Sequence, residues 1–230
     1  MAKIIISLFD HSGNWSKPYR DNGFEVKQVD IKNGIDIMTW DYQKEFCEVV
    51  AKNPLGIDLQ KNCFVVGVLA AVPCTDFALT GAASFAKKDA DGTTDESIKL
   101  AEKTLEIIRY FGNCHWGYHG GQYDEGDTPF FWCIENPMTR IHKLVPDIRA
   151  LKFKFSPNEF AQYSAKPESN QYSKQTWLFG EFTAPEKKPL PSLIDGLRWK
   201  DSKKGNREQK AELRSVTPDG FANAFYQFNH

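Results

Sequence analysis

The chain has 230 residues, 41% hydrophobic and 26% charged, and its 29 Lys plus Arg nearly cancel 30 Asp plus Glu to leave a net charge of −1. These proportions exclude a disordered, collagenous or disulfide-built chain. Near-neutrality excludes a broadly basic nucleic-acid coat but not a local basic patch.

Ile4 to Phe9 is a continuous apolar, β-branched run, the pattern of a strand covered on both faces rather than of a signal peptide. Asp10-His11-Ser12-Gly13-Asn14 follows as a turn, and Ser16 is placed to cap a short helix with Pro18 in its first turn and Gly23 near its end. Phe24 to Asp30 reads as a second strand, with Asp36 shortly after it. A helix is predicted over Gln43 to Lys52, burying Phe46, Val49 and Val50. Cys63 to Val72 is the most apolar stretch and the best central strand, stopped by Pro73.

The clearest helix signal runs from Thr94 to Phe111. Ile98, Ala101, Leu105, Ile108 and Phe111 recur at helical spacing, Thr93 and Glu96 form a capping-box pattern, and Gly112 is a C-terminal stop. Phe130 to Glu135 is a further buried strand, with Asn136-Pro137 as cap and first position of a helix. Ala150 to Phe155 and Thr176 to Gly180 read as shorter strands. Glu186 to Asn206 reads as a loop, and Thr217-Pro218-Asp219 opens a last helix burying Phe221, Ala224, Phe225 and Phe228. No apolar run approaches the ~18 residues needed to cross a membrane. Five widely spaced cysteines without a C-x-x-C pair suit a reduced, cytoplasmic interior.

Strands alternating with helices imply an α/β fold with a mostly parallel, doubly wound sheet and helices on both faces. Ligands in such sheets bind at the carboxyl ends of the strands. The residues there are Asp10 to Gly13, Asp30, Pro73-Cys74 and Glu135-Asn136-Pro137. A thiol at a strand end beside a helix N-terminus is a candidate nucleophile, and equally a packing residue. A carboxyl closing a buried strand is a candidate acid, and equally a cap or ion-pair partner.

Taken together, Pro73-Cys74-x-x-Phe77-Ala78, Glu135-Asn136-Pro137 about sixty residues on, and Ser215-Val216-Thr217-Pro218-Asp219-Gly220-Phe221-Ala222 near the end resemble the DNA cytosine-5 methyltransferase family, its compact phage-type members above all. The resemblance implies a Rossmann-like S-adenosylmethionine-dependent methyltransferase fold, seven-stranded with one antiparallel strand. It implies Cys74 as nucleophile on a loop shaped by Pro73, and Glu135 as the acid at cytosine N3, supported by Asn136. It assigns the cofactor to Phe9, Asp10, Gly13, Asp30, Asp36, Phe77, Gly220 and Ala222. His11 stands where the family has a glycine, and Gln171-Tyr172-Ser173-Lys174-Gln175-Thr176 is the nearest segment to the family's Gln-x-Arg-x-Arg, with Lys174 in place of an arginine as a substrate contact.

Residues 1–230 then form one catalytic domain, with a reduced target-recognition region over 181–214 and a loop insertion over 112–129. Trp116 and Tyr118 in that insertion are candidate stacking residues for a substrate base. His115 and His119 have a metal-ligand spacing only if helical, and Gly117, Gly120 and Gly121 argue against a helix there. The partner expected is DNA, weakly or locally bound, with a protein partner or second copy also open. The same chemistry on a free cytosine nucleotide or RNA, and a silent protein that keeps the fold, are the alternatives.

Overall fold

The computed structural model describes residues 2–53, 56–122, 128–148, 151–195, 212 and 215–230. The apolar runs become strands β1 (Ile4–Leu8), β2 (Glu25–Val29), β5 (Val65–Ala70), β6 (Phe131–Pro137), β7 (Phe153–Phe155) and β9 (Thr176–Glu181), which form a six-stranded sheet in the order β2-β1-β5-β6-β9-β7. The pairs β2-β1, β1-β5 and β5-β6 are parallel, whereas β9 runs antiparallel to both β6 and β7. Two short sheets stand apart: the antiparallel hairpin of β3 (Val49–Lys52) and β4 (Asp58–Gln60), and β8 (Tyr172–Ser173) paired with β10 (Ile194–Asp195). Among the described residues the central sheet therefore has six strands, not the seven expected.

Period-two alternation sends neighbouring side chains to opposite faces. Ile4, Ile6, Leu8, Val68, Ala70 and Ile134 pack on one face with Ala101, Leu105, Ile108 and Phe111 of the long helix α4 (Thr93–Tyr118). Ile5, Leu69, Phe131, Cys133 and Leu178 pack on the other with Trp15, Tyr19 of α1 (Lys17–Asp21) and Phe221 and Phe225 of the last helix, α6 (Asp219–Phe228). Two short helices, α2 (Tyr42–Glu45) and α3 (Phe85–Ala90), precede α4, and α5 (Ile141–Leu144) follows β6. The sheet thus has helices on both faces, as expected.

Several local expectations are corrected. The helix expected over 43–52 stops at Glu45. The β-branched pair Val49-Val50 instead enters the hairpin, with Val49 exposed and Phe46 alone reaching the core. The Thr93–Glu96 box does not form: Gly92 is the cap residue in a left-handed conformation, and the Thr93 hydroxyl donates to Asp91. Gly112 does not end α4, which runs on to Tyr118. A Cβ at Gly112 would meet the Phe130 ring at 3.1 Å, so close packing explains this glycine. Asn136-Pro137 extends β6 rather than opening a helix. Ser16 does not cap through its side chain, because its hydroxyl donates to the Asp10 carboxylate instead. Ala150 and residues 196–206 of the predicted strand and loop lie outside the described residues.

Candidate active site at the carboxyl ends of the strands

The first turn is built by Asp10. Its buried carboxylate accepts hydrogen bonds from the Ser7 hydroxyl (2.9 Å), the Ser16 amide (3.1 Å) and the Ser16 hydroxyl (2.8 Å), which pins the start of α1 to the end of β1. The backbone must reverse sharply there. Among the described residues Phe9 is the one non-glycine residue with positive φ (58°), and Gly13 also lies in the left-handed region at 68°. Strained backbone of this kind clusters at ligand sites. A Cβ on Gly13 would strike the Gln28 amide at 2.9 Å, and Gln28 Nε2 donates to the Asp10 carbonyl at 2.8 Å. Asp30, half-buried at the end of β2, accepts from the Lys32 amide through Oδ1, and its Oδ2 accepts no hydrogen bond among the described residues. Asp36 accepts from the Met38 amide in a similar turn. His11 Nδ1 lies 2.9 Å from Asn33 Oδ1, spanning the first turn and the turn after β2.

The second cluster sits beside the first, because β5 pairs with β1 and Ala71 N donates to Leu8 O at 3.0 Å. Cys74 follows β5 and Glu135 nearly closes β6. Register matches Ala70 with Ile134, so the two residues leave neighbouring parallel strands. The two segments are tied directly. Asn136 Nδ2 donates to the Val72 carbonyl at 2.9 Å, Leu79 N to Met138 O at 2.9 Å and Arg140 N to Phe77 O at 2.9 Å. Pro73 and Cys74 thus begin a loop strapped to the end of β6. Cys74 is half-buried, and none of the five cysteines is in a disulfide.

Glu135 is half-buried, and burial pushes its carboxyl above the usual range against the opposing pull of the Lys174 charge. Lys174 therefore faces Glu135, carried there by the turn before β9, whose Thr176 pairs with Pro137. Tyr172 lies in the same group. Burial first, then the charges of Asp219 and Glu135, push its phenol well up.

The closing motif is brought to the first turn by Asn14, whose side chain donates to the Thr217 carbonyl at 3.1 Å. Gly220 is buried against the turn over 157–163, where a Cβ would meet the Phe160 carbonyl at 2.5 Å. Ala222 and Phe77 are likewise buried, in the two core faces. Of the residues assigned to a cofactor, Phe9, Asp30 and Asp36 thus present surface, whereas Asp10, Gly13, Phe77, Gly220 and Ala222 are buried.

Trp116 and Tyr118 are not brought to this site. The start of α4 lies near Asp76 and Arg140 at the carboxyl ends, through Ser97 and Thr94. Its end lies at the amino ends, where the His115 ring nitrogens stand 3.2 and 3.0 Å from the carbonyls of Cys63 and Thr128 and Tyr118 packs on Phe64. A helix of this length spans the sheet, so these aromatics belong to its opposite end. The glycines did not prevent a helix through His115, but both ring nitrogens of His115 face carbonyls rather than a metal position. No group of three or more metal-ligating side chains occurs among the described residues.

Sequence reasoning missed Arg140 and Tyr172. Tyr172 lay within the segment read for a basic residue. Arg140 is connected through partners some fifty residues away, a pairing that leaves no periodic signal.

No family model matches the chain, and no curated protein is significantly similar to it. Among the described residues, no helix is long and apolar enough to cross a membrane.

Proposed function

We propose that the protein is an S-adenosylmethionine-dependent methyltransferase acting on C5 of cytosine in DNA. The observation that carries this reading is the pairing of Cys74 and Glu135 on the ends of adjacent parallel strands, strapped together by Asn136. The strand order supports it further, since one antiparallel strand, β9, lies between β6 and β7 beside a parallel set. Both clusters also stand at the point where the order β2-β1-β5 reverses, the crevice in which such sheets bind ligands.

Three of the eight assigned residues, Phe9, Asp30 and Asp36, present surface that suits the cofactor. Asp30 keeps a carboxylate oxygen for a ribose diol, Asp36 stands near for the adenine, and the Phe9–Gly13 turn supplies the floor. When bound, the cofactor supplies an electrophilic methyl group. Cytosine C5 is too weak a nucleophile to take it unaided. Attack of the Cys74 thiolate forms a bond to C6 and makes C5 nucleophilic. Glu135, whose hold on a proton is strengthened by burial, donates to N3 and stabilises the charge that develops. C5 then takes the methyl group; loss of the C5 proton to solvent re-forms the double bond and expels the thiolate, and the N3 proton returns to the Glu135 carboxylate.

The target side is small. An open cleft of about 440 Å³ beside β7 and β8 is lined by Lys154, Ser156, Asn158, Glu159, Ser173 and Lys187, offering the Lys154 cation and hydroxyls to a phosphodiester. Lys187 there is paired with Glu159 and is not an unengaged phosphate contact.

The test is transfer of a labelled methyl group to cytosine-containing DNA, with free cytosine nucleotides and RNA in parallel. Cys74→Ser is expected to abolish transfer and the covalent adduct with a trapping cytosine analogue. Unchanged transfer in that variant rules out the mechanism, and product on nucleotides alone transfers the chemistry to a different substrate.

A further inference from the structure

We propose that Arg140 is the positioning residue of the Cys74 loop, fixing it through an ionic network formed with Asp89 and Asp76. The proposal rests on reading Cys74 as the nucleophile. Successive loop carbonyls are met by donors from outside the loop. Val72 O receives Asn136 Nδ2, Thr75 O receives Lys88 Nζ at 3.1 Å, Asp76 O receives Arg140 Nε at 3.2 Å, and Phe77 O receives Arg140 N at 2.9 Å. Arg140 thus holds two consecutive carbonyls of this loop, one through its side chain and one through its backbone.

The guanidinium is itself held from three sides. Its Nη1 and Nη2 donate to the two oxygens of Asp89 at 2.8 and 2.6 Å, Nη2 also reaches the Thr94 hydroxyl at 3.3 Å, and the plane lies 3.6 Å from the Phe85 ring centroid. The Asp76 side chain completes the frame, accepting from Lys88 and from the Ser97 hydroxyl, each at 2.5 Å. Burial works against ionisation of Asp76, but these two donors outweigh it and hold the carboxyl below its usual range. The side chains of Arg140 and Asp76 are only 13% and 9% exposed, whereas Asp89 is 44% exposed, so solvent screens the outer side of the Arg140–Asp89 pair but not the inner side of the network. The network joins α3, the first turns of α4 and the segment after β6 around one loop. A lysine at 140 keeps the charge but lacks the planar fork that serves Asp89 and the Asp76 carbonyl at once.

The experiment uses the full chain with Arg140→Lys and Asp89→Asn, the latter at an exposed position whose substitution spares the core. Arg109→Ala, which breaks the exposed Arg109–Asp147 pair elsewhere on α4, is the control. The first readout is the rate at which iodoacetamide alkylates Cys74, followed by the mass of its peptide. The second is the split between kcat and KM for methyl transfer. Both network variants are expected to alkylate roughly tenfold faster than wild type, as loss of a charge-assisted hydrogen bond implies. Their kcat is expected to fall by about tenfold or more while the cofactor KM stays within about twofold. The control is expected to match wild type in both. Wild-type alkylation rates in both folded network variants overturn the proposal, whatever the transfer assay reads. An inactive wild-type protein whose network variants still alkylate faster overturns the methyltransferase reading and leaves the loop clamp standing.

Discussion

At the scale of single residues, the site is set by what surrounds each ionisable group. Burial of Glu135 at the end of β6 raises its pKa, and the Lys174 charge opposes part of that rise. Between the ordinary glutamate value near about 4.3 and the raised folded value, the folded chain holds a proton that the unfolded chain has lost. Wild-type stability therefore falls as pH rises through that window, and the deficit persists above it. Glu135→Gln removes the titration. Its melting temperature is expected to match wild type below about pH 4, to exceed it by a gap that grows through that window, and to keep that gap at higher pH. Thermal melts across that range check this, and a pH-independent gap contradicts a burial-driven shift. The same variant is expected to lose about a hundredfold or more in transfer rate, since an amide cannot give up the proton that N3 requires. At Asp10, three donors from Ser7 and Ser16 commit the carboxylate to the turn itself.

At the scale of elements, glycines separate packing from ligand binding. Gly220 lies in the first turn of α6, and its amide faces Asn170 Oδ1 at 3.4 Å while a Cβ would meet the Phe160 backbone at 2.5 Å. Backbone cannot yield as a flexible side chain can. Gly220→Ala is expected to push α6 from its seat and cost about 1–3 kcal/mol. The loss is expected to be the same with and without S-adenosylmethionine, measured by denaturant unfolding. A loss that appears only with the cofactor present returns Gly220 to the ligand pocket. Helix α4 makes a related point. Its apolar spacing was legible over Ile98 to Phe111, but its continuation to Tyr118 was not. Gly112 and Gly117 are poor helix formers in isolation, and the seat of Gly112 against Phe130 overrides that preference. The hairpin at Val49 was misread for the converse reason: a short apolar run has no periodicity long enough to separate strand from helix.

At the scale of the whole molecule, charge and length bear on the partner. On the proposed function, a net charge of −1 leaves DNA binding to a few local cations, Lys154 at the cleft among them. A titration of affinity against salt is expected to give a log–log slope no steeper than about −3, corresponding to roughly three phosphate contacts. A slope near that of a broadly basic binder, with six to ten contacts, overturns the local-patch view. The strands β1, β2, β5, β6 and β9 and the last helix were readable because a buried β-branched run or a capped amphipathic turn carries its environment in its own composition. The candidate chemistry of Cys74 and Glu135 was readable for the same local reason, since each stands at the end of such a run. Strand order, the antiparallel place of β9, the straps from Asn136 and Arg140 to the Cys74 loop, and the removal of Trp116 and Tyr118 to the far end of the sheet were decided by tertiary structure alone. Each depends on segments distant in sequence meeting through hydrogen bonds and packing, and no local pattern encodes which partner a strand edge or a guanidinium will find.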